Sequence, residues 1–295
     1  MPARTFHHSA FSAERIAAER ARRGLSASVC LPARECAGTV GQIVAALGEL
    51  REAGAIDRVV VVDAASPDGT AQAAHEAGAE VWQEAELLGS FGAVRGKGDA
   101  MWRALSRLEE DVICFLDADS EGFSAHFALG LLGPLTCEEG EGISFVKAFY
   151  RRPLGEDAEG GGRVNRLAAR PALALLYPEL AEIRQPLAGE VAARHELLQE
   201  LPFATGYGVE TAMLIDAWRA VGPEGIAQVD LDEHRNRHQP LAALESMAAT
   251  VLATALARGE RDGRVALSAP IDLAAHVPLE RPPLASLAQP TGGGG

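Results

Sequence analysis

Asp117-Ala118-Asp119 places two carboxylates two residues apart, directly after the strand-like run Asp111–Leu116. Hard oxygen ligands in that arrangement can hold a divalent cation, and a cation that bridges a diphosphate is the natural use. An acidic pair of this kind also arises as a solvated turn, so its weight depends on its neighbours. Asp63 closes a second, β-branched run, Arg58–Asp63, and is followed by Ala64-Ala65-Ser66-Pro67-Asp68-Gly69-Thr70. Those small and polar residues make a tight loop that can accept a nucleoside. Asp63 would take hydrogen bonds from base or ribose, while Asp68 caps the next helix.

Arg95-Gly96-Lys97-Gly98 suits a phosphate, because glycine lets the backbone approach an anion, a helix begins there and a lysine is at hand. It is not a Walker A loop, which needs G-x-x-x-x-G-K-[ST]. The loop after the first strand reads Pro32-Ala33-Arg34-Glu35, with no G-x-G-x-x-G, which disfavours a dinucleotide-binding dehydrogenase. Residues 147–170 gather Lys147, Arg151, Arg152, Arg163, Arg166 and Arg170 against Glu156, Asp157 and Glu159. Within them, Gly160-Gly161-Gly162-Arg163 can wrap N–H groups and a guanidinium around a phosphate or carboxylate, or form a solvated loop. Leu231-Asp232-Glu233-His234-Arg235-Asn236-Arg237-His238 concentrates imidazole, amide and guanidinium groups, and neutral histidine is a common metal ligand. Pro240 argues for a loop there that can fold over a site.

These groups sit in a chain of 295 residues, 47% hydrophobic and 23% charged, with net charge −14. Such a chain buries a substantial core, and its acidity disfavours broad binding to nucleic acid or to an anionic membrane. No uninterrupted apolar run approaches the roughly 18 residues of a membrane span. The N-terminus has no basic-then-apolar leader pattern, so a cytoplasmic protein is expected. Cys30, Cys36, Cys114 and Cys137 have no CxxC spacing and are expected as buried thiols.

Strand and helix patterns alternate over residues 26–120: a strand at Ser26–Leu31, a helix at Thr39–Leu50, strands at Arg58–Asp63 and Ala79–Gln83, a helix at Lys97–Leu108 and a strand at Asp111–Leu116. This predicts an α/β fold, a parallel sheet with helices on both faces, with ligands outside the carboxyl ends of its strands. Every motif of this half falls at such an end. Further on, strands are expected at Ile143–Tyr150 and Ile226–Leu231, and helices at Asn165–Leu176, Gly189–Glu200, Val209–Val221 and Leu241–Arg258. Four parts are anticipated: an N-terminal helical arm (1–25), a nucleotide-sugar-binding α/β part (26–142), an acceptor-binding and catalytic part (143–268), and an extended or disordered tail (269–295).

Leu31-Pro32-Ala33-Arg34-Glu35, Asp63 with Ser66-Pro67-Asp68-Gly69-Thr70, Gly96-Lys97-Gly98, Asp117-Ala118-Asp119 and Phe149-Tyr150-Arg151-Arg152-Pro153-Leu154 together resemble the glucosyl-3-phosphoglycerate synthases. So do Gly161-Gly162-Arg163-Val164, Gln185-Pro186-Leu187, Gly206-Tyr207-Gly208-Val209-Glu210 and His234-Arg235-Asn236-Arg237, so that the resemblance spans about residues 26–245. The family includes mannosyl-3-phosphoglycerate synthase relatives. The resemblance implies a GT-A glycosyltransferase that moves a hexose from a nucleotide diphosphate sugar (UDP-glucose, GDP-mannose or GDP-glucose) to the 2-hydroxyl of 3-phosphoglycerate, with retention. It also implies a Mg²⁺ or Mn²⁺ cofactor and a homodimer.

By the same resemblance, Pro32, Ala33, Arg34, Glu35, Asp63 and Ser66 surround the nucleotide, and Lys97, Asp117 and Ala118 meet ribose or diphosphate. Asp119 meets the metal, and Tyr207 and Glu210 orient the sugar. Gly162, Arg163 and Asn165, where relatives usually carry Thr, hold the acceptor. The Leu187 carbonyl sits near the reacting centre. Relatives carry a histidine metal ligand four residues before a Pro-Leu pair, and here that position is Asn236, flanked by His234 and His238. His234 is the first choice of ligand, His238 the second, and Asn236 an amide contact to the acceptor. Two other readings stand beside this one. A sugar-phosphate nucleotidylyltransferase would want a glycine-rich, arginine-containing loop after the first strand, and a non-catalytic nucleotide-binding module would not need the acidic pair and the basic loop together.

Overall fold

A computed structural model describes residues 3–154, 157, 160–235, 240–266, 273 and 275–287. In chain order the first half contains β1 (Arg4–His7), α1 (Ala13–Arg23), β2 (Ala27–Ala33), α2 (Val40–Glu52), β3 (Arg58–Asp63), α3 (Thr70–Glu76), β4 (Glu80–Gln83), α4 (Lys97–Leu105), β5 (Val112–Phe115) and α5 (His126–Thr136). The second half contains β6 (Phe145–Arg151), α6 (Arg170–Leu176), β7 (Val191–Arg194), α7 (His195–Glu200), β8 (Phe203–Ala204), α8 (Val209–Val221), β9 (Ile226–Glu233), α9 (Leu241–Arg261) and β10 (Glu280–Arg281).

Eight strands form one sheet in the order β1-β9-β6-β7-β5-β2-β3-β4. All pairings are parallel except the two made by β7, which runs antiparallel between β5 and β6. Side chains alternate across the sheet, so Val29 and Leu31 of β2 face a core containing Ile43, Leu47 and Phe127. Cys30 points the other way, toward Met101, Trp102 and Leu214. Both faces are thus covered by helices, as a largely parallel sheet requires. All four cysteines are free thiols and buried.

Three local expectations give way to tertiary context. The N-terminal arm is more than a surface helix. α1 has the expected glycine stop, with Gly24 at φ +63°, but β1 before it pairs with β9 from Arg4↔Ala227 to His7↔Asp230, and Phe11 and Ile16 enter the core. A four-residue strand with a single inward phenylalanine leaves little pattern to read. The helix expected over Gly189–Glu200 begins only at His195. Val191-Ala192-Ala193-Arg194 has helix-compatible alanines, but it is paired on both sides, and burial between two neighbours overrides propensity.

The tail expected to be extended or disordered contains β10, antiparallel to β8. Arg281 there donates to both oxygens of the fully buried Asp99, at 2.9 and 2.7 Å. Trp102 Nε1 donates to the Pro282 carbonyl at 2.8 Å. Although burial pushes the Asp99 carboxyl upward, the Arg281 and Arg103 guanidiniums and the Arg95 N–H hold it below its ordinary value. Arg281→Ala is expected to lower stability by about 3 kcal/mol, the lower end for breaking a buried pair because Arg103 remains. A carboxylate with a depressed folded pKa stabilises above its unfolded pKa near 4, and that contribution is lost as pH falls through the folded value. The gap between variant and wild type in urea melts should therefore be full at pH 7 and shrink below about pH 4.

α9 is long and apolar enough, by length and composition, to cross a membrane. Here its Arg258 is buried against Asp216 of α8 at 2.7 Å, and Val251 is buried in a cluster with Val164 and Ala168.

Candidate active site

Because β2, β3, β5, β6 and β9 are parallel, their carboxyl ends share one edge of the sheet, and β7 enters from that same edge. The register Phe115↔Val191 puts the residues just after β5 beside those just before β7. Asp117 therefore lies against Gly189, where a Cβ would come within 2.2 Å of Asp117 Oδ2. The edge opens into a cavity of about 650 Å³, a size typical of small-molecule sites.

Lys97 opens α4 after Gly96, whose φ of +78° suits glycine. Its Nζ makes a short ion pair with Asp117 Oδ1 and lies 3.3 Å from Glu210 Oε1. Burial lowers the Lys97 ammonium pKa, but the Asp117 and Glu210 charges raise it more, so the group is held protonated. Gly98 lets α4 approach β8, since a Cβ there would meet the Ala204 carbonyl at 2.0 Å. The amino end of α4 is thus fixed from two sides, by Ala204 and by the Asp99–Arg281 pair.

Asp119 also lines the cavity, and its carboxyl is pushed up, first by burial and then by the Asp117 charge. His234 is 2% exposed and reaches the residue after the acidic pair. Its Nε2 lies 2.8 Å from Ser120 Oγ and 3.6 Å from Glu190 Oε1, and its Nδ1 is buried with no partner. Asp119 in the cavity wall and His234, bonded to the neighbouring Ser120 with one nitrogen unused, are groups of the types that suit a divalent cation. Among the described residues, however, the acidic pair and His234 do not close into a three-ligand cluster, and His234 does not line the cavity. Glu190 is held by the Tyr150 hydroxyl at 2.7 Å, and its Oε1 is likewise without a partner. Asn236 and His238 lie outside the described residues.

Of the residues expected at the nucleotide, Pro32, Ala33, Arg34 and Ala118 line the cavity. Asp63, Ser66 and Glu35 stand behind it as a linked set. Asp63 Oδ2 accepts from Ser66 N at 3.0 Å, and Ser66 Oγ accepts from Glu35 N at 2.9 Å. Asp63 is 1% exposed, and its Oδ1 is buried without a hydrogen-bond partner. Ala64, beside it, does line the cavity.

Gly162, Arg163, Asn165, Leu187, Tyr207 and Glu210 line the same cavity. The Asn165 amide is already engaged: Nδ2 donates to the Arg184 carbonyl at 3.2 Å and Oδ1 accepts from Leu187 N at 3.3 Å. Buried Lys147 donates to the Ala188 carbonyl at 2.6 Å, and burial lowers its pKa to about 8. The Arg184–Ala188 segment is therefore braced by an amide and an ammonium. The carboxylate pair and the Gly162-Arg163 segment face one cavity.

Several lining residues escaped the sequence reading. Glu84 follows β4 and would have been found by extending the strand-end rule one strand further. Leu244, Met247 and Val251 of α9 form an apolar wall, and nothing in a helical apolar pattern distinguishes a ligand-facing stripe from core. Gly189 and Glu190 are not in the lining but stand against Asp117 and His234, and they were hidden inside the expected helix.

The Glycosyl transferase family 2 model matches residues 28–124. The sheet and its edge cavity accordingly define a GT-A glycosyltransferase. Over 256 residues the chain is 44% identical to the glucosyl-3-phosphoglycerate synthase of Mycolicibacterium smegmatis, covering 85% of this chain and 83% of that one. It is 40% identical to that of Petrotoga mobilis, covering 90% and 83%. Among solved structures it is similar to mannosyl-3-phosphoglycerate synthase from Rubrobacter xylanophilus, with a TM-score of 0.89, 41% identity, and 97% and 98% of the two chains covered. It is also similar to the Mycobacterium tuberculosis glucosyl-3-phosphoglycerate synthase solved with Mn²⁺, UDP-glucose and phosphoglyceric acid, with a TM-score of 0.83, 37% identity, and 97% and 99% covered. The chain belongs to the glucosyl-3-phosphoglycerate synthase family.

Proposed function

We propose that this chain transfers glucose from UDP-glucose to the 2-hydroxyl of 3-phosphoglycerate with retention at the anomeric carbon. The observation that carries this reading is that the Lys97–Asp117–Glu210 cluster, Asp119 and the Gly162–Arg163 segment line one cavity. The relatives' names and the UDP-glucose complex support the donor.

Pro32, Ala33, Arg34 and Ala64 flank the nucleoside, and Asp63, buried behind them, holds the loop through Ser66. Asp119 and His234 would hold the divalent cation, with Asp117 nearby. When bound, that cation supplies charge stabilisation to the departing diphosphate. Lys97, kept protonated by two carboxylates, supplies a second positive charge to the same leaving group. Arg163 and the Gly162 backbone bind the anionic acceptor, while Asn165 and Lys147 brace the segment that presents the Leu187 carbonyl to the reacting centre. Glu210, tied to Lys97 on one oxygen, orients sugar hydroxyls with the other, and Tyr207 at the rim assists. No side chain need act as nucleophile: in front-face attack the leaving phosphate oxygen accepts the proton of the acceptor hydroxyl.

Incubation with Mg²⁺ or Mn²⁺, 3-phosphoglycerate and a panel of sugar nucleotides tests the reading. UDP release that requires the acceptor supports it. Release from GDP-mannose alone would move the assignment to the mannosyl reaction, which the 0.89 TM-score to a mannosyl enzyme favours. Pyrophosphate production, or no turnover, would overturn it. Arg163→Ala is expected to raise the acceptor KM by about 10- to 100-fold, the value of one charged hydrogen-bonding group, with the donor KM within about twofold. Equal changes in both would remove Arg163 from the acceptor site. The working form is inferred to be a cytoplasmic homodimer, which light scattering on the purified enzyme and fractionation of the source cell would check.

A further inference from the structure

We propose that His7, His8 and Asp232 form a second metal site, separate from the donor cavity, that takes Zn²⁺ or another borderline divalent cation. One ligand atom from each lies within 4.8 Å of the other two. His8 Nε2 is 2.7 Å from Asp232 Oδ2, and His7 Nε2 is 3.4 Å from Asp232 Oδ1. Tetrahedral zinc with bonds of about 2.0–2.2 Å to nitrogen and oxygen sets its ligand atoms roughly 3.4 Å apart, so His7, at the surface, need only swing inward by about an ångström. Two imidazoles with one carboxylate suit zinc-like ions rather than Mg²⁺, which prefers oxygen alone.

The surroundings are those of a prepared site. His7 Nδ1 is 2.8 Å from Ser9 Oγ and accepts from the Ser9 N–H at 3.2 Å. An ion bound through Nε2 would therefore require the ring proton to move to Nδ1, which would then donate to Ser9 Oγ, the kind of oxygen partner that ligating histidines usually engage. The His8 ring packs against His126 in a tilted arrangement, with centroids 4.2 Å apart. His126 is not itself a ligand, since its Nε2 meets the Leu231 carbonyl at 3.2 Å and its Nδ1 meets Ser124 Oγ at 3.0 Å. Asp232 holds φ +66°, a left-handed conformation uncommon outside glycine, and its N–H bonds Asp230 Oδ1 at 3.0 Å. That bend turns its carboxylate toward the two histidines at the end of β1. The ion would clip the edge strand β1 to the end of β9, the strand that runs on to His234.

Equilibrium dialysis tests this with tag-free full-length protein and Zn²⁺, in buffer containing Mg²⁺ in large excess. Wild type is expected to retain zinc, and its melting temperature to rise with added zinc, as for any ligand bound only by the folded state. His7→Ala, His8→Ala and Asp232→Asn should each weaken zinc binding at least about tenfold and lose the thermal shift, and Ser9→Ala should weaken it less. Asp119→Ala should bind zinc as wild type does. Circular dichroism of the zinc-free variants confirms their folding, and His7→Gln serves if an alanine variant fails. The proposal is overturned if wild type retains no zinc, if the histidine variants retain it undiminished, or if only Asp119→Ala loses it, which would place the ion in the donor cavity.

Discussion

Asp119→Ala is expected to lower kcat/KM for the sugar nucleotide by about a thousandfold, equivalent to about 4 kcal/mol of transition-state stabilisation, and to remove the response to Mg²⁺ and Mn²⁺. Departure of a diphosphate concentrates negative charge at an edge that already carries Asp117, Glu210 and Glu190, against Lys97 as the ammonium within reach of Asp117 and Glu210. Without a cation held by Asp119 that balance fails. The same substitution should leave the fold intact or slightly more stable at pH 7, because burial and the Asp117 charge already disfavour the Asp119 carboxylate. Mn²⁺ titration followed by electron paramagnetic resonance, alongside a thermal melt, separates the two effects. Near-wild-type turnover with unchanged metal dependence would remove Asp119 from the reaction.

Gly189→Ala should be almost as damaging, for a steric reason. The added methyl would stand 2.2 and 2.5 Å from the two Asp117 oxygens, and neither the strand that precedes Asp117 nor the one that follows Gly189 can shift without breaking the β5–β7 register. Asp117 must turn away from Lys97. The expected results are a loss of roughly 1–3 kcal/mol in stability, as for overpacking generally, and a fall of about a hundredfold or more in kcat/KM, from 2.7 kcal/mol of misplaced electrostatics. Gly48→Ala is the matched control. Gly48 lies in α2 with nothing within 4 Å of its would-be Cβ, so alanine there should stabilise by about 0.5–1 kcal/mol. If Gly189→Ala keeps native donor kinetics, the contact between β7 and the acidic pair has no part in catalysis.

The legible part of this protein is the part where polar residues close buried strands. Asp63 and Asp117 could be placed at the active edge because a continuous apolar run ending in an acid fixes both the strand and its direction, and parallel topology then puts such ends together. Lys97 was legible through the glycines on either side of it. What could not be read depended on long-range pairing. Glu190 looks like an acid in an alanine-rich helix until β7 is seen between β5 and β6, and Arg281 looks like a tail residue until its partner Asp99 is known. Asn165 lines the cavity as expected, but its bonds to the Arg184 carbonyl and to Leu187 N could not be read from the sequence. A side chain's type announces which bonds it can make, not which neighbour will claim them.

The docking of β10 and Pro282 onto α4 bears on how the polypeptide can be trimmed. Cutting at residue 278 would strip Arg281 from Asp99 and the Pro282 carbonyl from Trp102, loosening the helix whose first residue is Lys97, so a shortened recombinant version should lose sugar-nucleotide affinity despite ending far along the chain from any donor contact. Cutting after 287 keeps those anchors, which makes that point the sensible boundary for a fusion partner.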